Sequence, residues 1–326
     1  MQDMRGKKTR QAGLLRELFT KKPLGALSLV ILILLLVVAV FADQLAPYPM
    51  INGIMQVDFL HMLSTSSPEH LLGTDSLGQD VLSYLIYGCR TSVILAIVCT
   101  ILATVVSVLI GVSSAVIGGW YDMIIQRFVD GFQCIPGVLI TMILMSILGK
   151  GMPQLIIAIG IPGGIAGARM MRSAAFAVKD AGYVRMSRLL GTKAGWRCVK
   201  HVLPNTMPLV IINMASSLSG VIMQEAAMNF LGYGVKVGTP SWGYMITYQG
   251  RANMYTAPWL ALYPGLCIML LVFAANMFGD AIRDLLDPRL KGGVGSYSTK
   301  KISKLARKIA AKRAKAAEKK DRLPAN

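Results

Sequence analysis

Leu24 to Ala42 runs for nineteen residues without a charged side chain, and five further stretches repeat the pattern. A bilayer core needs about 20 apolar residues per helix, and inside it every backbone polar group must be satisfied within the protein. The stretches fall near 24–43, 92–118, 132–149, 153–173, 205–230 and 258–281. Six helical crossings are therefore expected, and the predicted fold class is all-α. The composition agrees. Of 326 residues, 54% are hydrophobic and 15% charged, and the mean hydropathy is +0.55, which excludes an ordinary soluble domain. The first stretch is not read as a cleaved signal peptide. It lacks a small-x-small site and is followed by Asp43-Gln-Leu-Ala-Pro-Tyr-Pro49.

Lys and Arg orient the spans. Seven lie in residues 1–22, none in 23–89, eight in 169–201, fourteen from Arg283 onward, and Arg127 lies after span two. With six spans, these 30 of 34 basic residues share one side. The positive-inside bias makes that side cytoplasmic, together with both termini. The formal charge of +18 is thus a topology signal first. The organisation reads as a cytoplasmic segment 1–22, a first span with an extracytoplasmic segment 23–91, a five-helix core 92–282 with a cytoplasmic loop near 180–204, and a basic tail 283–326. Pro136, Pro162, Pro208 and Pro264 fall within spans or at their ends, where neighbouring helices can re-satisfy the backbone. The segment 44–89 is acidic where charged and should cap the outer mouth.

The cytoplasmic loop is polar and basic. Tyr183, Met186 and Leu190 fall at i, i+3, i+7, one face of a helix. Gly191 interrupts, and Trp196 and Val199 restart an apolar face. Two short helices hinged at Gly191 are expected at the membrane surface, presenting a grip for a partner. An ordinary connecting loop is the alternative.

Chemistry-bearing constellations are sparse. Five scattered cysteines show no CxxC or Cys/His spacing, so neither a zinc site nor a disulfide framework is expected. His61, His70 and His201 are too few and too dispersed along the sequence for a metal cage, and no metal ligand is assigned. No catalytic set is found. No Gly-x-x-x-x-Gly-Lys-Ser/Thr run occurs, so no nucleotide cofactor is expected in this chain. Glu225 and Asn229, at i, i+4 near the outer end of span five, with Gln224 beside them, are candidates for the lining or outer gate of a pathway. Asn213 is a weaker one. Intramembrane polar groups usually face a bundle interior or a wet cavity, and hydrogen bonding to a neighbouring subunit is the alternative. Asp130 and Gln133 are placed at the cytoplasmic end of span three, with Arg127 and Asp130 able to pair. In the tail, Ile302, Leu305 and Ile309 at helical spacing allow a basic amphipathic helix on anionic lipid, against a solvated end. Nucleic acid is not expected as a partner, because no stacking aromatics accompany the basic run.

Three passages carry a resemblance. They are Leu72-Gly-Thr-Asp75-Ser-Leu-Gly78-Gln-Asp80 through Gly88; the 182–205 segment ending His201-Val-Leu-Pro204-Asn; and Glu225-Ala-Ala-Met-Asn-Phe-Leu-Gly232 with Pro240-Ser-Trp-Gly243, Thr256-Ala-Pro-Trp259 through Gly265, and Gly279-Asp-Ala-Ile-Arg-Asp284 through Leu290. Together they resemble the C-type permease subunit of dipeptide, oligopeptide and nickel ABC importers, from about residue 14 to Lys291. The resemblance implies six transmembrane helices of the type I importer fold in a prokaryotic plasma (inner) membrane. It also implies a second homologous permease subunit, two cytoplasmic ABC ATPases holding ATP and magnesium, and an extracytoplasmic solute-binding protein. The implied cargo is a di- or oligopeptide, with nickel or a metal chelate as second choice.

The family's cytoplasmic loop reads Glu-Ala-Ala-x-x-x-Gly, then nine residues, then x-x-Leu-Pro. Gly191, Leu203 and Pro204 match it. Arg185, Met186 and Ser187 replace Glu-Ala-Ala and reverse the charge at the implied ATPase contact, and Gln79 stands where the family usually has Arg. By this resemblance Tyr183, Arg185, Met186, Arg188, Leu189, Leu190 and Gly191 form the contact, with the apolar residues packing into an ATPase cleft and the two arginines meeting acidic rims. An ion-gradient-driven secondary transporter and a non-transporting membrane scaffold are the rival readings. The first normally shows internal repeats and buried ionisable pairs near mid-membrane, whereas this sequence has no repeat and few mid-span charges.

Overall fold

The computed structural model describes Phe19 and residues 22–286. Within them the chain is a helical bundle. Helix α1 is Pro23–Val40, followed by the single turn α2, Ala42–Leu45. The outer segment then leads into α3, Val81–Ile117. Two shorter helices follow, α4 (Gly119–Gln133) and α5 (Gly137–Leu148). After α6 (Met152–Lys179) come α7 (Gly182–Leu189) and α8 (Ala194–Arg197), and α8 runs through a π-helical turn at Cys198–Val202 into α9 (Leu203–Phe230). The short α10 (Trp242–Met245) precedes α11 (Trp259–Leu286). Proline stands in the first turn of α1 and α6, where its missing N–H would have had no helical partner anyway, and Pro204 directly follows the π-helical turn where α8 runs into α9.

Five helices are long and apolar enough to cross a membrane, or six crossings if the bent pair α4–α5 counts as one. That pair departs from the sequence expectation of a loop at 119–131 and a straight span at 132–149. The two helices meet at 90°, and α5 alone, at 12 residues, spans only about 18 Å. Pro136 causes the break. It has no N–H to continue the ladder and disfavours the α conformation in the residue before it. The 119–131 stretch reads as a loop because Asp122, Gln126, Arg127 and Asp130 interrupt its apolar residues. As a helix it buries Val129 and partly buries Ile125 and Phe132 against Ile165 and Ala168 of α6.

The second span begins at Val81, eleven residues before the expected edge. Its first turns look polar, yet Ser83, Tyr84 and Tyr87 are all buried under the outer segment. Asp80 caps the helix, its Oδ2 accepting from the Ser83 amide at 2.8 Å. The outer segment 46–80 has no long helix or strand. It closes through isolated bridges, Val57 with Gln79 and Thr74 with Asp80, and a 3-10 turn at Phe59–His61.

Small residues set the tightest crossing, between α3 and α6. A Cβ on Gly164 would stand 2.5 Å from Val106 Cβ, and one on Gly160 would meet Leu102 at 2.7 Å. Gly160 and Gly164 form a Gly-x-x-x-Gly pair, the spacing that lets membrane helices approach backbone to backbone. Two ties fix the ends of the bundle. Lys22 Nζ reaches Asp284 Oδ2 at 2.5 Å, joining the start of α1 to the end of α11. At the other end Arg90 donates to the Ala39 and Val40 carbonyls at 2.8 and 3.3 Å and grips Asp43 at 2.8 Å. It thereby satisfies carbonyls that the last turn of α1 leaves without helical partners. The start of α1 and the end of α11 thus lie side by side. The tail residues Ile302, Leu305 and Ile309 lie outside the described residues.

Candidate functional site

The elbow between α6 and α9 is built on the ends of α3 and α6. Val184 and Val202 are buried with Val112, Ala115, Val116 and Ala175, and Lys179 Nζ donates to the Ala115 carbonyl at 3.3 Å. Helix α7 ends as the sequence requires. Gly191 has φ +76°, a left-handed conformation that costs other residues about 1–2 kcal/mol. Past the turn, the Thr192 amide donates to the Ser187 carbonyl at 3.2 Å, Ser187 Oγ to Thr192 Oγ1 at 3.0 Å, and Arg197 Nη1 to the Thr192 carbonyl at 2.6 Å. The turn is therefore braced rather than loose.

The side of α7 that packs inward carries Val184 and Ser187. Met186, Leu189 and Leu190 face away from the chain, the last two 81% and 79% exposed, and Tyr183 is exposed on one side while its ring lies 6.4 Å from that of His201. Arg185 and Arg188 stand exposed beside them. The apolar face expected from the i, i+3, i+7 spacing exists, and this subunit's own bundle does not cover it. The expected second short helix differs. Trp196 and Val199 belong to an unbroken helix running from Ala194 to Phe230, so Gly191 joins a short helix to a long span rather than two short helices to each other.

At the opposite end of α9, Glu225 and Asn229 are 2% and 1% exposed. Asn229 Nδ2 donates to Glu225 Oε1 at 2.5 Å and to the Glu225 carbonyl at 3.1 Å. Ser241 Oγ donates to the same Oε1 at 3.2 Å, and the Val235 amide donates to Asn229 Oδ1 at 3.0 Å. A Cβ on Gly234 would stand 1.8 Å from that Oδ1. Within this chain the pair's polar atoms are engaged by its own residues. The pair is enclosed by the chain's own loop after α9, which it holds down. Gln224, half-buried, donates from Nε2 to Thr141 Oγ1 of α5 at 2.7 Å. Asn213, also half-buried, faces Gly167 of α6. The four polar candidates of span five thus make contacts within the subunit, and Asn213 lies far along α9 from the other three.

The motif Pro240-Ser-Trp-Gly243 folds onto this seam. Trp242 is buried, and its Nε1 donates to the Leu85 carbonyl at 2.9 Å. Gly243 packs on Asn229, where a Cβ would come within 2.9 Å of Asn229 Cβ. The Gly-Thr-Asp passage is tied in as well. Asp75 accepts from Leu77 and Gln79 amides at 2.8 Å and from Gln249 Nε2 at 3.0 Å. Burial pushes its carboxyl above the usual carboxylate range, and these backbone donors partly offset that.

Arg127 and Asp130 do not form the expected pair. Asp130 accepts from Arg169 of α6, and Gln133 Nε2 donates to the Ala166 carbonyl at 3.0 Å. Nearby, Arg172 grips Asp122 through two bonds of 2.6 Å. The sequence reading also scattered the histidines, whereas the fold brings His61 and His70 to one carboxylate, Asp58. Ten residues from His70, Asp80 completes the group at 3.0 Å. A spacing this long carries no local signal.

The profile of the binding-protein-dependent transport system inner membrane component matches residues 107–292, and that of the N-terminal TM domain of oligopeptide transport permease C matches 14–63. The glutathione transport system permease protein GsiD of Escherichia coli O6:K15:H31 is 32% identical over 274 residues, covering 84% of this chain and 89% of that protein. GsiD of Shigella boydii serotype 4 matches to the same extent. Inward-facing structures of the MetNI methionine ABC transporter superpose with a TM-score of 0.51 at 19% identity, over 62% of this chain and 96% of theirs. The fold is that of a type I importer permease.

Proposed function

This chain belongs to the binding-protein-dependent transport system inner membrane component family, in its peptide and nickel C-type class, and on that premise we propose that it forms half of an inward pathway for a short peptide. It is a multi-pass permease subunit of an ABC importer. The peptide assignment rests on the oligopeptide-permease profile at the N-terminal end and on relatives named for glutathione transport.

The observation that carries the mechanism is the uncovered apolar face of α7. Tyr183, Met186, Leu189 and Leu190 expose large apolar surface beside Arg185 and Arg188. An exposed apolar patch with a charged rim marks a protein contact. We assign it to one of two ABC ATPases, which hold the ATP and magnesium. Their closure pushes the braced elbow, α9 moves with it, and access switches across the bilayer. A second permease subunit supplies the other half of the pathway, and an extracytoplasmic binding protein delivers the peptide. The basic ends and the elbow face the cytoplasm. Arg185 at the position of the family's carboxylate implies an acidic rim on the ATPase.

The test replaces Arg185 and Arg188 with Glu in the assembled importer. ATP-dependent uptake of labelled short peptides should fall at least about tenfold, and the ATPases should co-purify poorly, at unchanged membrane levels. Uptake and assembly at wild-type levels would remove the contact. Uptake that persists without ATP would remove the importer mechanism altogether.

A further inference from the structure

The outer segment places three metal-ligating side chains around one point. Asp58 caps the 3-10 turn at Phe59–His61, its Oδ1 accepting from the Leu60 amide at 3.0 Å. Its other oxygen, Oδ2, lies 2.7 Å from His61 Nδ1 and 3.7 Å from His70 Nε2. One donor atom from each of the three residues falls within 4.8 Å of the others. The described residues contain three histidines, and two of them converge here.

His70 carries the argument. Its side chain is 4% exposed, under Tyr48, whose ring stacks on it at 4.9 Å. Asp80 Oδ1 accepts from His70 Nδ1 at 3.0 Å. Asp80 is itself fixed, because its other oxygen caps α3 through the Ser83 amide. An imidazole that donates from Nδ1 turns the lone pair of Nε2 outward. Nε2 lies 3.7 Å from an Asp58 carboxylate oxygen, too far for a hydrogen bond. Two electron-rich atoms at this separation repel unless a proton or a metal cation comes between them. His61 Nδ1 hydrogen-bonds the same carboxylate oxygen at 2.7 Å, so a metal entering here displaces that proton and takes both imidazoles and the carboxylate as ligands. A carboxylate that orients a metal-bound histidine through its other nitrogen is the usual outer partner of such sites.

We propose that Asp58, His61 and His70 bind a divalent transition-metal ion of the zinc class, with Asp80 as positioning residue. Two imidazoles and one carboxylate form a ligand set that zinc accepts, leaving a fourth position for water. Donor atoms around tetrahedral zinc sit about 3.4 Å apart, given bonds of ~2.0–2.1 Å. The exposed His61 ring supplies the small rotation that closes the set. The ion joins the 58–61 turn to the loop that leads into α3. It is resident in the extracytoplasmic cap and separate from the transported solute.

The experiment uses the full chain, purified in nanodiscs on a tag without histidine, stripped with chelator and titrated with zinc chloride. Calorimetry and elemental analysis should give one zinc per chain. His70→Gln and His61→Ala should each weaken the affinity at least about tenfold, and Asp80→Asn by about 10–100-fold. X-ray absorption at the zinc edge of the wild-type chain should show two imidazole nitrogens in the coordination shell. Failure to bind zinc stoichiometrically overturns the site, as does binding undiminished in both histidine variants or a shell without imidazole. The absorption measurement needs no substitution, so a variant that misfolds leaves the proposal exposed to refutation.

Discussion

Trp242 lies directly against the backbone of Gly88. A Cβ at Gly88 would stand 2.7 Å from Trp242 Cδ1 and 3.0 Å from its Nε1, and that same Nε1 donates to the Leu85 carbonyl one turn earlier in α3. The indole therefore occupies a slot made by the absence of a side chain. Gly88→Ala should destabilise the chain by about 1–3 kcal/mol through overpacking, read as a lower unfolding midpoint in nanodiscs. Gly88→Val should lower it further. An unchanged midpoint in both would show that the indole is not fixed there.

The Glu225–Asn229 pair makes a different demand. Asn229→Leu removes the donor to Glu225 Oε1 and leaves the Val235 amide without its acceptor. A buried polar group left unmade costs about 1–3 kcal/mol. The loop 231–241 should loosen, with faster hydrogen exchange at Val235. Slow exchange there in the variant would mean that other contacts hold the loop.

Gly191 is the residue whose replacement should separate assembly from motion. At φ +76° a β-branched residue pays a backbone penalty of about 1–2 kcal/mol. Gly191→Val should distort the turn that presents Leu189 and Leu190, lowering uptake more than membrane abundance. Normal uptake per inserted chain would show that the turn has no mechanical role.

The Arg90–Asp43 clamp gives a pH dependence. The hydrogen-bonded Arg90 guanidinium, with help from Tyr87, holds the Asp43 carboxyl below its ordinary value of 3.8. A carboxyl lowered on folding contributes stability that is complete above the unfolded value and is lost as pH falls through the folded one. Wild type should therefore lose stability relative to Asp43→Asn on acidification below about pH 4. The difference should shrink in high salt, because the carboxyl is exposed. Parallel pH profiles for the two proteins would refute the linkage.

The parts of the fold that were legible in the sequence are those written in local periodicity. Uncharged stretches such as Leu24 to Ala42 locate the long spans, and the i, i+3, i+7 spacing of Tyr183, Met186 and Leu190 identifies the outward face of α7. What escaped depends on distance along the chain. Arg90 reaches back to Asp43, Arg169 takes Asp130 away from Arg127, and Asp58 collects two histidines. The first two are made by helix packing and the His70 contact by the fold of the outer segment, so no short window contains them, although Asp58 and His61 are only three residues apart. The buried position of Glu225 escaped for a related reason. A carboxylate in a span signals an interior, but only the returning Val235–Ser241 loop decides whose interior it is.

The unbroken helix from Ala194 to Phe230, 37 residues long, measures about 55 Å end to end. On the proposed mechanism it would act like a tiller, its far end swinging as the elbow end is pushed. Probes placed at Trp196 and beside the Glu225 seam should consequently report a single shared rate constant, with no lag between the two faces of the membrane.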